Sequence, residues 1–189
     1  MPSSMLHLMA AKQYKYESNA LFLLGSLAPD CVDDWVRKDA LHLRRSNDRE
    51  TDLIKLFNAN LNGDLFSEAI VLHLYLDWKW DVSFLMKFMT EHGENWVHAY
   101  RNEIGLLSAY FYNQLDWSRC AWTQMLDYSE GYGNDDYSGE DIRKMVERNY
   151  NWHENNLEVF PQYFSPNDVV QFVNETVAEY KMWSNKNRQ

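Results

Sequence analysis

The segment "EAIVLHLYLDWKWD", residues 68–81, sets His73 and Asp77 four positions apart in a run of Ile, Val, Leu, Tyr and Trp. On a helix that spacing is about one turn, so both side chains converge on one point. Imidazole nitrogen and carboxylate oxygen are ligands for zinc and related divalent cations. A buried ionisable pair needs a partner, because desolvation is costly unless a hydrogen bond, an opposite charge or a metal offsets it. The same spacing also suits a core histidine bonded to a carboxylate of its own helix, and alone it does not separate the two.

Three more ionisable residues stand among apolar neighbours. His7 lies inside "SMLHLMAA", Asp30 closes "LFLLGSLAPD" where Pro29 can bend the chain inward, and His42 sits between leucines in "DALHLRR". Each has a plain account: a satisfied core histidine, a cap for the next helix, a surface residue beside Arg44 and Arg45. Taken together, three His and two Asp from four segments suit a polynuclear metal site whose ligands project inward from different helices of a bundle.

The elements that must position them read as helices. The chain of 189 residues has 7 Gly and 4 Pro, which favours long helices over a turn-rich β architecture. A short helix is expected over 5–12 with a serine N-cap, a helical segment over 19–30 ends in a sharp loop, and helices follow over 33–45 and 48–61. Turn residues at 62–64 lead into a long helix over about 64–91, on which Phe66, Ala69, Ile70, His73, Asp77, Trp80 and Phe84 share one face. A second long helix is expected over about 95–127, carrying Trp96, Tyr100, Leu107 and Phe111 inward. The Gly- and acid-rich stretch 129–141 is the clear loop. Ser138 and Asp141 start a helix to about Val159, and "SPND" at 165–168 opens a last helix to about Trp183, with a frayed tail beyond it. Tyr75, Trp78 and Trp80 read as packing residues. The expected fold is an all-α single-domain helical bundle over residues 1–189.

Composition narrows the function classes. Hydrophobic residues make up 46% of the chain, enough for a sizeable core, and the formal charge is -10, which disfavours strong nucleic-acid or anionic-membrane binding. Two cysteines without C-x-x-C spacing rule out a disulfide framework or a Cys-rich zinc site. With no signal-peptide pattern and no apolar run of about 20 residues, the expected location is cytoplasmic. Oligomeric state is left open.

The pieces "MPSSMLHLMAAK", "LFLLGSLAPD", "LHLRR" and "LHLYLDWKW" follow the order and approximate spacing of the zinc-dependent phospholipase C family. The chain resembles that family's compact bacterial hydrolase branch, itself similar to zinc phospholipases C and fungal single-strand nucleases. The likeness is dense over residues 1–85 and faint beyond. It implies an all-helical fold with two or three zinc ions hydrolysing a phosphoester; manganese, iron or nickel would suit the same ligands. It implies His7, Asp30, His42, His73 and Asp77 as metal ligands, Asp77 as a bridge, and Asp30 also as a catalytic proton acceptor. The substrate would be a small phosphoester or a phospholipid-like molecule. The later pattern H-x-x-x-E is met only in part: Glu103 fits its acidic position and is carried as a sixth ligand, but Ala99 stands where the histidine belongs and His98 is one position off, about 100° round a helix. Secreted members also use an N-terminal Trp as a ligand, where this sequence begins Met-Pro. His92 reads as a helix end, His153 as a surface histidine, and Arg101 as a surface partner for Glu103 or for a phosphate. The competing expectation is a catalytically degenerate metal-binding or protein-interaction protein on the same scaffold.

Overall fold

A computed structural model describes residues 2–15, 17–60, 64–128 and 132–188. Every regular element among them is helical, so the protein is all-α. In chain order these are α1 (Ser4–Tyr14), α2 (Ala20–Gly25), a 3-10 turn (Ala28–Cys31), α3 (Trp35–Leu41), α4 (Arg49–Ala59) and α5 (Leu65–Trp80). A π-helical segment (Asp81–Leu85) joins α5 to α6 (Met86–His92); α7 (Trp96–Gln114), α8 (Ser118–Tyr128), α9 (Gly139–Glu154) and α10 (Pro166–Asn187) follow. No helix among the described residues is long and apolar enough to cross a membrane.

Side-chain caps set many of the starts. Asp48, Asp64, Ser138 and Ser165 each accept the backbone N–H three residues on, satisfying a donor that the first turn leaves unpaired. Pro166 follows its cap at the first helical position, where its missing N–H costs nothing.

The axis of the molecule is α5, which packs against α1, α2, α4 and α10. Its sequence is apolar almost all round, and residues 69–77 are buried without a break, as suits an interior helix. Close approach of α2 depends on Gly25: a Cβ there would lie 2.3 Å from the carbonyl oxygen of Phe66. On another side Tyr75 meets Tyr180 and Trp183 of α10, each at 5.2 Å between ring centres.

Several expected boundaries shift for identifiable reasons. The stretch 33–45 is helical only to Leu41. His42 caps that helix, and Leu43 turns into the left-handed region at φ 56°. The N–H of Arg44 then reaches the carbonyl of Asp39 and that of Leu43 the carbonyl of Ala40, a Schellman turn with leucine where glycine is usual. The left-handed backbone costs a leucine about 1–2 kcal/mol. The expected helix over 64–91 is continuous, but its turn at 81–85 is widened into π geometry. The expected helix over 95–127 is two: Ser118 turns back so that its hydroxyl donates to the Tyr112 carbonyl and its N–H to that of Leu115, ending α7 with no Gly or Pro to announce the break. The α9 helix stops at Glu154, where Asn155 and Asn156 bond back to Asn151 and Trp152. The tail is helical to Asn187. The turn at 62–64 and the loop at 129–141 lie partly outside the described residues.

Candidate metal centre

The five residues singled out among apolar neighbours come together. α1 brings His7, the 3-10 turn brings Asp30, the Schellman turn after α3 brings His42, and α5 brings His73 and Asp77. All but Asp30 are buried, and its side chain is 17% exposed. The 3-10 turn after Pro29 points Asp30 back toward α5 as expected.

Two backbone carbonyls define the histidine tautomers. His73 Nδ1 lies 2.8 Å from the carbonyl of Ser26, and His42 Nδ1 lies 2.8 Å from that of Lys38. A carbonyl only accepts, so each Nδ1 carries the proton, and the Nε2 of each neutral ring presents a lone pair. Those two Nε2 atoms stand 3.3 Å apart. Two nitrogens each about 2.05 Å from a tetrahedral zinc are about 3.3 Å apart. A metal-binding histidine is usually oriented in this way, by an acceptor on its other ring nitrogen.

Asp77 divides its two oxygens between two sides. Oδ1 is 3.4 Å from His7 Nε2 and 4.0 Å from His73 Nε2, whereas Oδ2 is 3.6 Å from His42 Nε2. His42 Nε2 is also 3.7 Å from Asp30 Oδ1. Two groupings have ligand atoms all within 4.8 Å of one another: His42, His73 and Asp77, and His7, Asp30 and His73. The His7 ring stacks on His73 with centres 3.7 Å apart, yet neither of its nitrogens has a hydrogen-bond partner. Asp77 Oδ1 is likewise unbonded. Buried polar atoms left unpaired on facing sides of one cluster are what a bound cation would satisfy, so this donor set fits a divalent metal. His73 Nε2 has one lone pair, so it can serve only one of the two groupings at a time.

Electrostatics keep the carboxylates charged. Burial would raise the Asp30 carboxyl, but Lys38 and the nearby His42, His73 and His7 outweigh it and hold it well below the usual carboxylate range. Burial opposes ionisation of Asp77 too, and His7, His73 and His42 reverse the sign and lower it. His73 goes the other way: burial, reinforced by His7, pushes it down to about 3 against the pull of Asp77 and Asp30, so it stays a neutral ligand.

Among the described residues Lys38, Arg44 and Arg49 already attend the cluster and its neighbour Asp81, and they escaped notice because they sit in ordinary-looking charged stretches. Lys38 Nζ is 3.2 Å from Asp30 Oδ1 and donates to the Asp30 carbonyl at 2.9 Å. Arg44 reaches Asp77 Oδ2 with Nη2 and Asp81 Oδ2 with Nε, both at 3.2 Å, and Arg49 joins Asp81 at 2.9 Å. The π segment begins at Asp81, which it sets beside the two arginines. Wide turns of this kind are frequent at functional sites. Burial would lower Arg44, but Asp77 and Asp81 raise it.

Glu103 corrects the sequence expectation. It is buried, but its carboxylate takes the backbone N–H groups of Gln162, Tyr163 and Phe164 at 3.0, 2.7 and 2.9 Å, and it belongs to neither metal-sized grouping. Its oxygens pin the loop between α9 and α10. His98 is exposed, and His92 ends α6 as expected, with Nδ1 on the Phe88 carbonyl. His153 is not a surface residue: it is fully buried, stacked on Tyr112, with Nε2 2.9 Å from Ser108 Oγ, and burial pushes it down to about 4. Its Nδ1 has no hydrogen-bond partner, so no third group orients the ring as a nucleophilic triad requires. Arg101 lies over the Trp35 ring at 5.0 Å.

A cleft of about 370 Å³ opens onto Asp30, with Lys38, Arg101 and Arg148 on its walls and Ser108 and His153 at its inner end. An otherwise acidic molecule thus presents basic side chains where the cluster meets solvent. Comparison with known proteins identifies no family: no protein-family model matches the chain, no curated protein matches it, and no solved structure matches it.

Proposed function

We propose that the protein is a metal-dependent hydrolase of a small phosphoester. The observation that carries this reading is the pair of Nε2 lone pairs of His42 and His73, 3.3 Å apart between Asp77 and Asp30. The basic walls of the cleft above Asp30 support an anionic substrate, and the likeness of residues 1–85 to the zinc-dependent phospholipase C family supports the same class. Zinc would suit the nitrogen and oxygen donors best; manganese, iron and nickel would suit them next.

A divalent cation held here supplies Lewis acidity toward water and the phosphoryl oxygens. His42, His73 and Asp77 would hold one ion, and His7 and Asp30 would offer donors to a second. Asp30, at the floor of the cleft, orients the attacking water. With its carboxyl held so far below neutrality it works as a hydrogen-bond acceptor rather than a proton store. Lys38 fixes Asp30, and Arg44 with Asp81 fixes Asp77. Cys31 and Cys120 are unpaired, which suits a reducing compartment and a cytoplasmic location.

One observation favours a second reading. Lys38 and Arg44 already pair with the two carboxylates, so a metal must compete with built-in cations. That would suit a scaffold that kept the cluster and lost activity. Turnover separates the two. Zinc- and manganese-loaded protein is assayed with p-nitrophenyl phosphate and bis-p-nitrophenyl phosphate, beside Asp30→Asn. The hydrolase reading expects metal-dependent release and a fall of about a hundred-fold or more in the variant. Metal bound at full occupancy without turnover of either ester would favour the scaffold.

A further inference from the structure

A second cavity, of about 420 Å³, lies on the other side of Pro2 from the Asp30 cleft, and Pro2, Arg101 and Ile104 border both. Its walls are Trp35 from α3, Leu85 from the π segment, and Trp96 and Ile104 from α7. Arg44 also lines it, and the same guanidinium touches Asp77. One residue therefore belongs both to the cluster and to an apolar pocket. The volume is within the usual range for small-molecule sites, about 300–1,000 Å³, and about 150 Å³ already holds benzene.

The pocket's exposed apolar wall is otherwise costly. Trp35 leaves 56% of its surface to solvent and Val97 leaves 43%. The Arg101 guanidinium stands over the Trp35 ring, 5.0 Å from its centre, which puts a positive charge above that indole at the rim. An occupant matched to these walls has an apolar, flat body and a negative end: the body against Trp35, Leu85, Trp96 and Ile104, the anion at Arg44 and Arg101. A sugar would bury hydroxyls against carbon there, and two acyl chains would exceed the space.

We infer that this pocket seats the organic group of the substrate, and that the substrate class is an aryl phosphoester whose phosphoryl group meets Arg44 beside the metal cluster. The inference rests on the phosphoester reading above. Arg44 is then a binding residue for the phosphoryl oxygens: Asp77 and Asp81 hold its Nη2 and Nε, the phosphoryl group displaces Asp39, 3.6 Å away, from Nη1, and Trp35 sets specificity.

The test is calorimetric binding of two non-hydrolysable anions, phenylphosphonate and methylphosphonate, to the zinc-loaded full chain. Phenylphosphonate should bind at least about ten-fold more tightly, as burial of one ring against apolar walls implies. Trp35→Ala, at a half-exposed position, should cut that preference to about three-fold or less, and Leu85→Ala should act in the same direction. Equal affinity for the two anions, or a preference that survives both substitutions, overturns the inference and leaves the phosphoester reading standing. Failure of zinc-loaded protein to bind either anion overturns both.

Discussion

The Nε2 atoms of His42 and His73 face each other at 3.3 Å, and each ring donates its Nδ1 proton to a backbone carbonyl, that of Lys38 for His42 and of Ser26 for His73. Two lone pairs at that distance repel unless something positive lies between them. Two elements hold the arrangement: α5 carries one ring, and the Schellman turn after α3 carries the other. The left-handed Leu43 at the centre of that turn stores backbone strain beside the cluster, where such strain is often found.

The carbonyl that orients His73 depends on the contact of Gly25 with Phe66. A methyl group at position 25 would lie 2.3 Å from backbone, which cannot swing aside as a side chain could. Gly25→Ala should therefore destabilise the fold by about 2–3 kcal/mol in urea titration. Because Ser26 must move with α2, zinc affinity should fall by about 10–100-fold. A variant of unchanged zinc affinity would show that the Ser26 carbonyl does not orient the ring.

Two buried histidines set the acid behaviour of the metal-free fold. His73 is held down to about 3 and His153 to about 4, chiefly by burial. Unfolded, each takes up a proton near pH 6.5. Below that pH the unfolded chain binds more protons than the folded one, so stability declines as pH falls until it passes the folded values. The slope should be about 1.4 kcal/mol per pH unit for each histidine, or about 2.7 for the pair between about pH 6 and pH 4.5. Urea denaturation of chelator-treated protein across that range measures it, and His153→Phe should remove about half of the slope. A flat profile from about pH 7 to pH 5 would contradict the buried neutral assignment.

Glu103 should behave as a loop anchor. Glu103→Ala leaves the amides of Gln162, Tyr163 and Phe164 without their acceptor, which should cost about 3 kcal/mol or more. Zinc content should stay at the wild-type value. Loss of metal with little loss of stability would instead restore Glu103 as a ligand.

Helix content was legible because caps and periodicity agree: Ser138 with Asp141, Ser165 with Asp168, and the apolar face of 66–84. The break between α7 and α8 was not, because a serine hydroxyl and backbone turn make it without a breaker residue. His7, Asp30, His42, His73 and Asp77 stood out as ionisable groups among apolar neighbours, and they do converge. Lys38 and Arg44 did not stand out, since "VRKDALHLRR" looks like a solvated face until the turn at Leu43 folds Arg44 back onto Asp77. Glu103 was carried as a ligand on the resemblance alone, and nothing local to it signals that the backbone amides of Gln162, Tyr163 and Phe164 would meet it. His153 was misread for a similar reason: the rings of Tyr112 and Trp122 that enclose it come from α7 and α8, remote in sequence.

The most direct test of the central claim is elemental analysis of the purified chain after reconstitution with zinc, beside His42→Ala, with helicity of both checked by circular dichroism. A metal centre on the His42 and His73 Nε2 atoms should give about one equivalent of zinc or more per wild-type chain, and a clear loss in the variant at unchanged helicity. Zinc at background level in the wild type, or equal zinc in both proteins, would contradict it.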